Sequence, residues 1–387
     1  MPERNAAIVG YGLTEVGKVF GRTARGFAAD AVRLAVADAG LALGDIDGLL
    51  VNARAGTDLN LSLARTLGLQ DLRMLSEVNA FGASAAIMAA QASKAVLAGE
   101  AETVVCVFAD DPKEENAGGS DAYRATSLTA TGFRSAETAA GFTSVNHRYA
   151  LAARRYMDHY GVTSSQLGAV AVSQRAWALD NPVAQMRTPL SLDDYHRSRW
   201  VVDPLHLLDC CLVSNGGAAV VVTTPERARD LPTTPVYVRG WGQAHPGHVL
   251  ERGSDFGLVT GAAVSGPAAL KMAGMTVDDI DLREIYDCYT YTLLVTLEDY
   301  GFCGKGEAGE LAASGALAPG GALPTNTGGG QLSSFYLWGM TPLVEGLTQL
   351  RGEAGVRQVT RHSTAIVSGN GGILDHHGTL VLSTAAA

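Results

Sequence analysis

The sequence predicts a layered α/β protein made of two similar halves, and three observations predict it. Short β-branched runs alternate with Ala-rich stretches of helical length from the first residues onward, the pattern of strands covered by helices. After a Pro-containing break at 224–235 a comparable order begins again with little residue identity, which points to a repeat of architecture. The chain has 387 residues, 47% of them hydrophobic and 18% charged, enough to bury an extensive core and too apolar to be disordered.

In the first half a strand at 6–12 (AAIVGYG) leads to a helix over roughly 26–39, and IDGLLVN (46–52) is a second strand. LRMLSEVN (72–79) is a third, followed by an Ala-rich helix at 84–98 and a buried strand at 102–110. Ala and Gly on that helix allow close packing between sheets. From 111 to 205 the pattern loosens into polar loops with two helices, around 143–160 and 164–181, and reads as an inserted cap before the strand at 216–224. The break at 224–235 reads as a hinge. The second half then runs strand 236–243, helix 262–274, strand 282–287, helix 291–300, a Gly-rich turn, helix 340–351 and closing strands at 363–369 and 378–383. The expected division is 1–230 and 231–387.

Composition narrows the function. Lys+Arg 29 against Asp+Glu 39 gives a net charge of −10, which repels a phosphate backbone and argues against nucleic-acid binding. The opening residues carry neither signal-peptide nor transit-peptide character, and no apolar run approaches the ~18 residues of a membrane span. The expectation is a soluble cytoplasmic protein. Five cysteines without a CxxC pair predict neither disulfides nor a structural zinc site.

Several motifs have bland readings. Gly10 and Gly12 follow a strand, but the third glycine of a dinucleotide fingerprint is misplaced. Asp375-His376-His377 has adjacent imidazoles that diverge on extended chain, with no third ligand nearby in sequence, so a pocket role for His377 is the better expectation. No G-x-S-x-G elbow is present.

The informative residues lie in three strand-to-turn segments, VNAFGASAA (78–86), EIYDCYTY (284–291) and NTGGGQLSSFYLWG (326–339). Together they resemble the thiolase superfamily, in its sterol-carrier-protein-type branch, and the resemblance runs over essentially the whole chain. It implies the thiolase fold, with layers α-β-α-β-α. In that branch the first segment holds a nucleophilic Cys at a helix N-terminus, in a pattern like VNxxCxSG; here Gly82 stands at the Cys position and Ser84 at the serine. The His of an HDCF-type motif is replaced by Tyr286, and the His of a GHP motif by Tyr336. The second catalytic Cys, of a CxG motif, is missing from IVSGNGG (366–372), which offers Ser368 and Asn370.

Tyrosine at both His positions retains groups that exchange protons, unlike random decay. The pattern resembles the lipid-transfer-protein-like aldolases of steroid side-chain degradation, to which YDCYTYTLLVTLEDYGFCGKGE, LPTNTGGGQLS and QLRGEAGVRQV are also similar. The resemblance implies retro-aldol cleavage of a β-hydroxyacyl-CoA to a ketone and a short acyl-CoA such as propionyl-CoA or acetyl-CoA. That reaction needs a base, a proton donor and charge stabilisation, but no covalent nucleophile.

Tyr336 is assigned as the base and Tyr286 as the proton donor, an assignment the sequence leaves open, because an unperturbed phenol titrates near ~10 and one of the two must be pushed down. Tyr289 and Tyr291 are alternatives if the register shifts. Backbone N–H groups around Gly82, Ala83 and the 328–330 turn (Gly329) are candidate oxyanion donors, with Ser84, Asn326 and His377 as further pocket candidates. Arg187, Arg197 and Arg199 are possible phosphate contacts. The resemblance further implies a homodimer joined by a small partner with an OB-fold and a zinc ribbon, as an α2β2 complex, with zinc only in the partner and no cofactor besides the CoA of the substrate. The rival readings are an acyltransferase using Cys288 and a non-catalytic or lipid-binding scaffold.

Overall fold

The computed structural model describes residues 5–52, 59–116, 122, 133–247 and 253–386. The first half contains β1 (Ala7–Leu13), α1 (Ala24–Asp38), β2 (Gly48–Asn52), α2 (Leu59–Leu67), β3 (Met74–Val78), α3 (Ser84–Ala98) and β4 (Thr103–Asp110). The inserted region carries α4 (Phe133–Ala139), α5 (Val145–Tyr160), α6 (Ser164–Ala178), α7 (Leu192–Arg197), β5 (Trp200–Val202) and β6 (Leu205–His206). Positions 117–121 and 123–132 of that region lie outside the described residues. The half closes with β7 (Gly216–Thr223) and α8 (Pro225–Asp230). The second half contains β8 (Val236–Ala244), α9 (Ala262–Ala273), β9 (Leu282–Glu284), α10 (Thr290–Tyr300), α11 (Ala308–Ala313), α12 (Met340–Leu350), β10 (Thr364–Gly371) and β11 (His376–Ser383).

Nine strands form one mixed sheet in the order β3-β2-β4-β7-β1-β8-β11-β10-β9. The halves meet where β1 pairs with β8 through only Ala7↔Tyr237 and Ile8↔Val236, so the sheet is two half-sheets joined at a short seam. Their orders correspond: in each, the first strand lies at the seam beside the last, and earlier strands lie toward the outer edge. The second half has no counterpart of β3 among the described strands. Its place is held by one parallel bridge between Arg283 and Thr325, and the 326–339 segment follows it as the α3 turn follows β3.

α3 packs against strands of both half-sheets, as does α12, while α1 covers the first half-sheet and α9 the second. This gives five layers. α3 suits the central layer because it is apolar on nearly every side, which marks a helix buried all round. The window 81–98 is apolar enough to span a membrane by length and composition, against the expectation from sequence, but most of it is buried between the half-sheets. Local signals match their elements: Thr163 and Gln166 form a reciprocal capping box on α6, and α3 stops at Gly99 in the left-handed conformation.

The segment expected as a hinge, 224–235, is tied to the first half by side-chain contacts. Thr224 caps α8 by accepting from the Arg227 N–H at 3.2 Å, Arg227 pairs with Asp45 at 2.8 Å, and Thr233 donates to the Val9 carbonyl at 2.6 Å. The expected strand at 282–287 ends at Glu284, leaving the next residues free to turn their side chains toward the centre of the molecule.

Candidate active site

β3 delivers the chain to a short 3-10 turn, Phe81–Ala83, that opens α3. Phe81 takes a left-handed φ of 50°, and Ser84 Oγ accepts from the Ala80 N–H at 2.8 Å, closing the turn. Gly82 is required sterically. A Cβ there would run into the Tyr286 ring and the Asn370 carbonyl, so the aromatic ring fills the space a side chain at 82 would need.

Tyr286 follows β9, and its peptide N–H donates to Ser368 Oγ at 2.9 Å. Tyr336 follows a π-turn, Gly330–Ser334, and its N–H donates to Ser214 Oγ at 2.9 Å. Ser214 is itself held by Gln185 Nε2 at 2.7 Å. These anchors bring the two phenol oxygens to 3.0 Å, with ring centroids 6.4 Å apart and planes inclined at 67°. Tyr286 is buried and Tyr336 half-buried. The pair lies beside the N-terminus of a 15-residue helix, where the aligned peptide dipoles favour negative charge.

Around the pair the chain is aromatic and thiol-rich. Tyr149, from α5, donates to the Gly372 carbonyl at 3.0 Å, accepts from Asn370 Nδ2 at 3.4 Å and stacks near Tyr289 with centroids 4.5 Å apart. Burial raises the Tyr149 phenol well above its ordinary range, as do neighbouring Cys288 and Tyr286. Burial pushes the Cys288 thiol up to about 12, and Cys303 likewise to about 12. It also raises Cys106, Cys210 and Cys211. Since the thiolate is the nucleophile, this burial weighs against acyl transfer by Cys288.

Other predicted positions turn out differently. Asn326 braces Ile285, accepting from its N–H at 2.6 Å and donating to its carbonyl at 2.8 Å, and its amide also bears on the Asp287 carboxyl. The Gly329 N–H donates to the Asn326 carbonyl at 2.8 Å and the Ala83 N–H to the Ala80 carbonyl at 3.1 Å, so neither is an open oxyanion donor. The 328–330 turn packs behind, against Gln174 and Asp287. Ser84 serves the turn rather than a ligand.

His377 is sealed in the core with Nε2 3.0 Å from the Tyr300 hydroxyl, and burial pushes its imidazole down to about 3. Tyr289 donates to Asn146 Oδ1 at 2.5 Å and Tyr291 to the Gly257 carbonyl at 2.8 Å. Arg187, Arg197 and Arg199 are exposed, with Arg197 bound to Asp194 at 2.7 Å. Tyr149 and Ser214 escaped sequence reading, because neither sits in a motif and only the fold brings them to the site. Among the described residues no three His, Cys, Asp or Glu side chains are grouped to hold a metal.

Residues 242–384 match the thiolase C-terminal domain-like family model. The chain is 39% identical over 360 residues, 90% of each chain, to a steroid side-chain-cleaving aldolase of Thermomonospora curvata. It belongs to the steroid side-chain-cleaving aldolases, on the thiolase fold. It is also 37% identical over 372 residues to the 17-hydroxy-3-oxo-4-pregnene-20-carboxyl-CoA lyase of Mycobacterium tuberculosis, covering 92% of this chain and 95% of that one. The solved Ltp2-ChsH2(DUF35) aldolase superposes with a TM-score of 0.89 at 36% identity, over 99% of this chain and 98% of that chain. In this aldolase Gly82 packs against Tyr286, which is hydrogen-bonded to Tyr336, so the three motif positions singled out in the sequence stand together.

Proposed function

We propose that this chain cleaves a β-hydroxyacyl-CoA with a steroid-like tail, by retro-aldol chemistry, to a ketone and a short acyl-CoA. The observation that carries this reading is the 3.0 Å phenol–phenol contact beside a glycine where an attacking sulfur would need room. In this reading Tyr336, the half-buried member that faces incoming substrate, is the base, with the Tyr286 hydroxyl 3.0 Å away as its partner. It takes the proton of the β-hydroxyl. The bond between the α and β carbons breaks, the β carbon becomes the ketone, and the electron pair moves into the enolate of the short thioester.

The peptide dipoles at the start of α3, with the Gly82 N–H, stabilise the negative charge on the thioester oxygen. Tyr286 then gives its proton to the α carbon, and the proton on Tyr336 passes across the phenol contact to restore the starting state. Atoms and charge balance, and no redox step or cofactor takes part.

The two relatives named for steroid and pregnene-carboxyl-CoA cleavage support the substrate class. The solved complex with a DUF35 protein supports a small partner, which in this reading has an OB-fold and a zinc ribbon, holds all the zinc, and joins a homodimer of this chain as α2β2. Five free cysteines support a reducing, cytoplasmic setting. Co-purification with the neighbouring gene product, followed by assay on a panel of hydroxyacyl-CoA esters, tests the reading. Cleavage to ketone and short acyl-CoA is expected; a stable acyl adduct on intact mass, or no cleavage of any ester, overturns it.

A further inference from the structure

Asp287 adjoins Tyr286 in sequence and is buried, with its carboxylate bonded to the segment that carries Tyr336. Its Oδ1 accepts from the Gln331 N–H at 2.8 Å, and the Leu332 N–H and the Asn326 amide also bear on the carboxyl. Gln331 is fully buried, and its Nε2 donates to the Trp338 carbonyl at 2.7 Å. One glutamine therefore fastens both ends of the 331–338 loop, and Tyr336 stands two residues before the far fastening. The near end is docked on the neighbour of Tyr286. The approach is close enough to demand glycine at 330, whose φ is 59° and where a Cβ would collide with Asp287 Oδ2 and Gln174 Oε1.

Resting on the retro-aldol reading above, we propose that Asp287 is a positioning residue which, through Gln331, sets the separation of the Tyr286 and Tyr336 hydroxyls. The argument is geometric. The two phenols lie on separate segments, 50 residues apart in sequence, and Asp287–Gln331 ties the residue beside one phenol to the loop that presents the other. A misplacement of about 1 Å in reacting groups costs on the order of 10²-fold in rate, so the tie has a kinetic signature.

The test compares wild type, Asp287→Ala, Asp287→Asn, Gln331→Leu and Tyr286→Phe, each assembled with the partner protein. Melting temperature is measured beside kcat and KM for hydroxyacyl-CoA cleavage. Asp287→Ala is expected to lower kcat about 10²-fold with KM within about threefold, and its crystal structure to show the phenol oxygens separated beyond hydrogen-bonding reach. Asp287→Asn keeps the Oδ1 acceptor and is expected to recover kcat to within about tenfold of wild type. Gln331→Leu frees only the Trp338 end and should fall between.

Folded Asp287→Ala with unchanged kcat overturns the proposal. So does Asp287→Asn as slow as Asp287→Ala, because the carboxylate would then be acting in its own right. If Asp287→Ala does not fold, folded Gln331→Leu with unchanged kcat overturns it equally. Wild type and Tyr286→Phe both inactive would instead refute the retro-aldol reading, and the phenol separation in Asp287→Ala crystals would still decide the positioning role.

Discussion

Two hydrogen-bonded aromatic pairs in this protein have the same length and opposite capabilities. Tyr286 and Tyr336 meet at 3.0 Å, and so do Tyr300 and His377; Ser368 lies between the pairs, accepting from the Tyr286 N–H and bearing on the Tyr300 hydroxyl. The second pair is sealed. Burial raises the Tyr300 phenol and drops the His377 imidazole to about 3, so both stay neutral across the physiological range, while Tyr300 also holds Thr379 at 2.7 Å. The first pair has a half-buried member, a helix N-terminus beside it and a glycine against which the Tyr286 ring packs. A short contact between exchangeable groups becomes chemistry only where substrate reaches it and the surroundings tolerate a charge.

The comparison breaks most readily at the kinetic level. Tyr286→Phe or Tyr336→Phe should each lower kcat by about 10²–10⁴-fold with the protein still folded. Tyr300→Phe should leave kcat within about threefold and lower the unfolding free energy by about 1–3 kcal/mol, since it strips partners from buried polar groups. A large kinetic loss in Tyr300→Phe would erase the distinction between the pairs.

Restoring a sulfur at the vacated position comes next. Gly82→Cys puts a Cβ into the Tyr286 ring, so it should destabilise by at least about 1–3 kcal/mol. Mass spectrometry after incubation with acyl-CoA should show no acyl adduct at that thiol.

The smallest effects sharpen the contrast through pH. His377 is lowered from 6.5 to about 3, so between those values the unfolded chain binds a proton the folded chain refuses, and this group makes stability rise with pH. Asp287 is raised from 3.8 to about 7 by burial, so the folded chain keeps a proton the unfolded chain has lost, and stability falls with pH over that window. The two slopes oppose one another between about pH 4 and 6.5, each about 1.4 kcal/mol per unit. Relative to wild type, His377→Gln should therefore lose stability, and Asp287→Asn gain it, as denaturant melts move from pH 4.5 to 6.5. Equal slopes in the two variants would refute the burial assignments.

The layered fold was legible because it rests on local patterns: the buried run of β4, the Ala-rich α3 and the second pass of strands and helices after 235. The phenol pair was legible too, through motif position. What the sequence could not show was which way neighbouring residues face. Asn326 and Gly329 share a motif with Tyr336, yet Asn326 braces Ile285 and Asp287 and Gly329 closes a backbone turn. His377 stands directly opposite Asn370 on the adjoining strand but belongs to the sealed pair. Tyr149 reaches Asn370 across 221 residues, a contact made by tertiary packing of the inserted region and by no local pattern.

The central claim, that the two phenols work as one relay, is tested most directly by a double-mutant cycle on cleavage of a hydroxyacyl-CoA, using Tyr286→Phe, Tyr336→Phe and the double variant in the assembled complex. Groups that act as a unit are strongly non-additive, so the double variant should be about as slow as the slower single. Losses that multiply, or a single variant within about tenfold of wild type, would contradict the account.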